Sequence, residues 1–329
     1  MQDINTTGEM TKTLEIIEKR AIKKAALKIG FTLLVVLGVM FFWSVPVLLI
    51  TSFMGIPFEA VEAFFAEPII NMSLQAVMML FMVLLPFLIL AKTEKENISN
   101  TISFARPKKR ITLPLIMTTA VYGFIIGNFT SVLLSILETI GLKAPEIDMV
   151  YPTDFLGIVI TVIAVVVMPS LIEEFAMRGV VLGSLRRFGD GFAIICSSLV
   201  FGLMHASITQ IPYTFLLGVV FAVAVIKTES IWTSVILHAI NNGLSVAFEY
   251  CEFFYGAQNT DIIEQIVICI MIITSIIGIV ILLKRDPQAL KIEPSNTVNG
   301  EKKKFRYFIL SPTIIAGIIL SILFGFLFR

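Results

Sequence analysis

The sequence predicts an all-α fold, a polytopic transmembrane helical bundle of eight or nine spans with a buried polar site. Three observations predict it. Hydrophobic residues make up 57% of the 329 residues and charged residues only 15%, where a soluble domain carries about a quarter charged, and mean hydropathy is +0.93. The apolar residues come in runs long enough to cross a bilayer core, which takes roughly 20 residues of helix. The loops between those runs alternate in charge. The 27 Phe and 14 Met suit lipid-facing surface and apolar core.

Taken in order, residues 1–29 are expected to form a cytoplasmic N-terminal segment. Within it, residues 9–28 mix Leu14, Ile16, Ile17 and Ile22 with Lys12, Lys19, Arg20, Lys23, Lys24 and Lys28, the composition of an amphipathic helix at a membrane surface. A cleaved signal peptide is not expected, because the first apolar run is too long and no small-residue cleavage site follows it. Spans near 30–51, 69–91 and 112–137 build an N-terminal transmembrane part, 30–149. Spans near 155–177, 191–207, 212–227 and 231–249 build a motif-bearing core, 150–250. Spans near 262–283 and 307–328, separated by a polar linker at 286–304, complete the chain over 251–329. No internal repeat and no large soluble domain is evident.

Charge sets the orientation. Lys92, Lys95, Arg106, Lys108, Lys109 and Arg110 follow the second span, Arg186 and Arg187 the fourth and Lys227 the sixth. Lys284, Arg285, Lys291 and Lys302 to Lys304 follow the eighth. The intervening loops carry Glu59, Glu62 and Glu67, then Glu138, Glu146 and Asp148, then Glu249, Glu252, Asp261 and Glu264. Basic loops stay in the cytoplasm, so the N-terminus is expected there, in a bacterial-type plasma membrane. Cys196, Cys251 and Cys269 lack metal-ligand spacing and read as small buried hydrophobes.

The chain has two histidines, His205 and His238, and both fall inside apolar stretches downstream of the adjacent Glu173 and Glu174. Ionisable groups inside a membrane are costly and mark function. In the fourth span Pro169 removes a helix hydrogen bond and favours a kink with a polar cavity beside it. Glu174 and Arg178 are four apart and share a helix face, so they can pair, while Glu173 points about 100° away. Phe201 and His205 share a face of the fifth span, His238 and Asn242 a face of the seventh. At about 1.5 Å of rise per residue, all these groups can meet near mid-membrane.

Such a meeting supplies the parts of a hydrolysis. A carboxylate stripped of bulk water can act as general base on a single water, with an imidazole sharing the proton. A second imidazole and an amide on another helix can face the oxygen of the scissile carbonyl. No serine or cysteine nucleophile is needed.

The ordered set Glu173-Glu174-x-x-x-Arg178, Phe201-x-x-x-His205 and His238-x-x-x-Asn242 resembles the CAAX protease and bacteriocin-processing family (Abi), which includes the Ras-converting CAAX endoprotease. The resemblance covers about residues 150–250. It implies an intramembrane glutamic endopeptidase of eight-helix type without a cofactor. Glu173 and His205 would activate the water, His238 and Asn242 would form the oxyanion hole, and Glu174, Arg178 and Phe201 would support the site. A ninth span would depart from that pattern.

Two other classes use the same residues. A carboxylate and two histidines can form a three-ligand zinc site with one open position, although the spacing is not His-Glu-x-x-His. Mid-membrane carboxylates and broken helices also suit a transporter, scaffold or immunity protein that binds without cutting, although the two halves repeat no motif. The partners expected are a membrane-associated peptide or protein substrate and the lipid bilayer, with no nucleic acid. Asn241 is expected to point elsewhere.

Overall fold

The computed structural model describes residues 2–94, 104–139, 141, 150–294 and 297–327. Lys95, Glu146 and Asp148 lie outside the described residues. Every regular element among the described residues is helical.

Helix α1 (Gln2–Phe42) carries the basic segment and, without interruption, the first part of the first apolar run. After a turn at Trp43 come the short helices α2 (Ser44–Phe53) and α3 (Phe58–Ala66). Helix α4 (Pro68–Thr93) starts at Glu67, whose carboxylate accepts from the Ile70 N–H at 3.1 Å. Such capping satisfies a backbone donor that the first turn leaves free. The next apolar run is broken at Ala120 and Val121 into α5 (Lys109–Thr119) and α6 (Tyr122–Thr139). The Ser275 hydroxyl bridges that break, donating to the Met117 carbonyl at 3.1 Å and accepting from Val121 N–H at 3.2 Å.

Helix α7 (Phe155–Phe188) is capped by Asp154, which accepts from Gly157 N–H at 3.0 Å. It is not regular. Wide π turns at Val162–Val167 and Phe175–Leu182 flank the α-helical Met168–Glu174, with Pro169 in its first turn. Interruptions of this kind gather at functional sites. Gly189, at φ +116°, reverses the chain into α8 (Asp190–Met204).

Helices α9 (Gln210–Thr228) and α10 (Ile231–Tyr255) follow, joined through Glu229 in a left-handed conformation and the cap Ser230. Helix α11 (Ala257–Arg285) leads across the polar linker to α12 (Glu301–Ile309) and α13 (Pro312–Leu327), which meet at a 68° bend.

Among the described residues seven helices are long and apolar enough to cross a membrane, or eight if the bent α12–α13 pair is one span. The exception among the expected spans is 191–207. It is the 15-residue α8, about 22 Å long, short of the roughly 30 Å hydrocarbon core. Most of α8 is buried by α7, α9 and α1, so it need not reach either lipid boundary. Helix also begins at Glu301, inside the expected linker. There the buried Lys304 donates to the carbonyl of Phe188 and to Thr297 Oγ1, ion-pairing with Glu301.

The main core lies where α7 and α8 meet α1, around Ala176, Met177, Val181, Ala193, Cys196 and Val200. A second cluster joins α5, α9, α10 and α11 through Leu115, Leu217, Phe221, Leu237 and Leu282. The outside is strongly apolar, with Phe31, Leu49, Phe81, Phe129, Phe155 and Ile273 all exposed. A soluble monomer rarely shows contiguous apolar surface beyond a few hundred Å². The helices and their apolar exterior make this an integral membrane protein. Cys196 is buried as expected, whereas Cys251 is half-buried and Cys269 exposed on α11, because the spans place much of their apolar surface outward.

Candidate active site

Glu173, His205 and His238 come together from α7, the end of α8 and α10. Glu173 is 7% exposed, and its Oε2 lies 4.0 Å from His205 Nε2 and 3.9 Å from His238 Nε2. That oxygen is buried and makes no hydrogen bond. A buried acceptor without a partner costs free energy, and the three atoms face one another at a separation that leaves room for a small group hydrogen-bonded to all of them.

The sequence neighbour is fully buried, its Oε1 paired with two side chains and its Oε2 without a hydrogen bond. Glu174 Oε1 is 3.0 Å from Arg178 Nη1 and accepts from His238 Nδ1 at 3.0 Å. Arg178, also fully buried, donates from Nη2 to the Gly218 carbonyl at 3.2 Å. Its guanidinium lies 4.5 Å from the Phe201 ring centre and 5.3 Å from that of Phe221, positions where the ring faces attract a cation. Gly218 also allows α9 to approach α8 closely: a Cβ there would stand 3.0 Å from Ser198 Cβ and 3.2 Å from the Phe201 ring.

The imidazoles are oriented alike. His205 Nδ1 faces the carbonyl of Phe201 at 2.8 Å and His238 Nδ1 faces the Glu174 carboxylate, both acceptors, so each ring carries its proton on Nδ1. In the neutral rings both Nε2 atoms are then acceptors turned toward Glu173. His205 is placed by the end of α8, where Ala206 turns to φ 47°. Phe201 contacts more than His205. Its ring stands edge-on to His205 at 5.0 Å and to His238 at 6.0 Å as well as against Arg178. Phe221, which sequence reasoning missed, stacks on His238 at 5.4 Å.

Asn242 lies one turn further along α10. Its Nδ2 donates to the carbonyl of Val165 at 2.9 Å. Val165 is four residues before Pro169, which has no N–H to offer it. Asn241 corrects the expectation that it points elsewhere: its Nδ2 donates to Asn242 Oδ1 at 3.2 Å, and its Oδ1 accepts from Tyr213 O–H at 2.8 Å. The missing N–H at Pro169 was legible in the sequence; the residue that compensates for it was not, because it lies 77 residues away in the chain.

A cavity of about 660 Å³ opens over these groups, lined by Glu173, His205, His238, Asn241, Asn242 and Tyr213 and, on its outer side, by apolar residues such as Met40, Trp43 and Met82. Its size is that of a ligand cleft. Among the described residues no group of three or more His, Cys, Asp or Glu side chains is arranged to hold a metal ion.

The fold and site define a membrane-embedded helical protein with a carboxylate–imidazole cluster under an apolar cleft. Residues 155–244, which span α7 to α10 and include every residue of that cluster, match the family model described as type II CAAX prenyl endopeptidase Rce1-like. The chain is also 34% identical over 86 residues to the membrane-embedded CAAX protease MroQ of Staphylococcus aureus (strain USA300). That stretch is 24% of this chain and 35% of the relative, so the chain spans about a third of the curated protein it matches. No solved structure matches. The resemblance to CAAX proteases holds over the motif-bearing segment.

Proposed function

We propose that this protein is an intramembrane endopeptidase that hydrolyses a peptide bond of a membrane-associated peptide or protein through a water activated by Glu173 and His205. One observation carries the reading: the buried, unbonded Glu173 Oε2 stands within 4.0 Å of both imidazole Nε2 atoms, at the floor of the cleft.

A water between these groups gives a proton to Glu173 or His205 as its oxygen bonds to the scissile carbonyl carbon. The carbonyl oxygen becomes an anion. Asn242 has one amide N–H committed to Val165 and a second available for that anion. His238 can donate from Nε2 only after taking up a second proton, since its Nδ1–H already serves Glu174. The proton gathered by the Glu173–His205 pair then passes to the amide nitrogen, the C–N bond breaks, and a new carboxylate and a new amine leave. General acid–base participation contributes about 10²–10⁴-fold and each oxyanion donor about 10²–10³-fold.

The test compares membranes carrying wild-type protein with membranes carrying Glu173→Ala, by mass spectrometry of their peptides. The expected result is a peptide pair produced only with the wild type, its uncut precursor accumulating with the variant. Identical peptide profiles, with both proteins present at equal level, would overturn the proposal.

A further inference from the structure

Asn242 is held by a hydrogen-bonded chain whose direction is fixed at one end. The Val165 carbonyl can only accept, so Asn242 must present Nδ2 to it. Asn242 Oδ1 must then accept, which turns Asn241 Nδ2 toward it. Asn241 Oδ1 is left to accept from Tyr213, whose hydroxyl must donate. Reversing the Asn242 amide would set oxygen against the Val165 oxygen and nitrogen against the Asn241 nitrogen. An amide free to flip has no such constraint.

The packing around the chain is specific to it. Gly123 of α6 faces Asn241, and a Cβ there would stand 2.6 Å from Asn241 Oδ1 and 3.7 Å from the Tyr213 hydroxyl. A second cavity of about 590 Å³, bounded by α5, α6 and α11, lies on the far side of the same pair. Tyr213 and Asn241 line both cavities, so their half-buried hydrogen bond belongs to the wall that the two cavities share.

We infer that Tyr213 and Asn241 are positioning residues that aim the second N–H of Asn242 at the developing oxyanion. The inference rests on the peptidase reading. Neither residue touches the reacting atoms; both act through Asn242, and their effect belongs to the transition state and not to substrate binding.

The experiment uses the full-length protein in lipid vesicles and a peptide built on the cleavage site recovered from the Glu173→Ala comparison. Tyr213→Phe keeps the ring and removes the donor; losing one hydrogen bond should lower kcat roughly three- to tenfold with KM unchanged. Asn241→Asp offers only acceptors and turns the Asn242 amide away, so kcat should fall about 10²-fold. In an Asn242→Ala background, Tyr213→Phe should have no further effect, because the residue through which it acts is gone. A kcat equal to wild type in Tyr213→Phe, a rise in KM alone, or a loss of full size in the Asn242→Ala background would each overturn the inference. Should Asn241→Asp fail to fold, the near-isosteric Tyr213→Phe and its double-variant cycle decide. Failure of the peptidase reading is separate: there the wild type and Glu173→Gln cleave alike, whatever Tyr213 does.

Discussion

Glu173 and Glu174 are adjacent in the chain and opposite in surroundings. Glu174 is held through Oε1 by Arg178 and His238 in full burial, whereas Glu173 lines the cleft with its Oε2 near both imidazole Nε2 atoms. The helix explains the difference: a step of about 100° per residue turns one carboxylate inward to the core and the other to the cavity. Arg178 should be irreplaceable even by lysine. Its guanidinium meets Glu174, the Gly218 carbonyl and two ring faces at once, which an ammonium cannot reproduce. Breaking a buried pair costs about 3–5 kcal/mol. Arg178→Ala should lose stability on that order, Arg178→Lys a part of it, and thermal unfolding in detergent measures both. A variant with wild-type stability would remove Arg178 from its supporting role.

At the scale of elements, α7 is the informative one. Its α-helical segment carries Pro169 and the two carboxylates between two π turns, and the carbonyl that Pro169 leaves without a donor anchors Asn242. Pro169→Ala returns an N–H to that carbonyl. It should leave stability unchanged or raise it, since proline costs an interior helix about 3 kcal/mol, while kcat falls as the Asn242 amide loses its fixed partner. Unfolding and cleavage measured on the same preparation test this, and a Pro169→Ala protein of undiminished kcat would contradict it.

Most helices were legible because their apolar runs approach or exceed the length of a bilayer crossing. The π turns were not, since nothing in Val162–Val167 distinguishes a wide turn from a regular one. Nor was the shortness of α8. Its sequence is as apolar as a span, because it is surrounded by protein that is itself apolar. Within the site, the spacings of Glu174 with Arg178 and of Phe201 with His205 were readable as helix faces. The contacts of Phe221, Tyr213 and Asn241 were not, since they depend on how α9 and α10 pack.

For the whole molecule, the charge pattern predicts a bundle with the N-terminus and the Lys108–Arg110, Arg186–Arg187 and Lys284–Arg285 ends on one side. Several of these ends are joined directly. The Arg110 guanidinium donates to the Arg285 carbonyl at 2.7 Å and that of Arg285 to the Arg110 carbonyl at 2.8 Å, and Lys108 pairs with Glu229 at 2.8 Å. They therefore lie on a common face, independently of any membrane. We propose that this face is the cytoplasmic one, as the positive-inside rule predicts. Single cysteines introduced at Lys12 and at Glu59, in a background without Cys196, Cys251 and Cys269, should react with an impermeant thiol reagent only from the cytoplasmic and only from the opposite side, respectively. Labelling of both from one side would reject this topology.

In the proposed reaction Glu173 activates the water that attacks a peptide bond inside the bundle. Cleavage in ¹⁸O-water by the purified protein in vesicles tests it most directly. Wild-type protein should place the heavy oxygen in the newly formed carboxylate, and Glu173→Gln, folded and inserted equally, should produce no cleaved peptide. Cleavage by Glu173→Gln at the wild-type rate would contradict it.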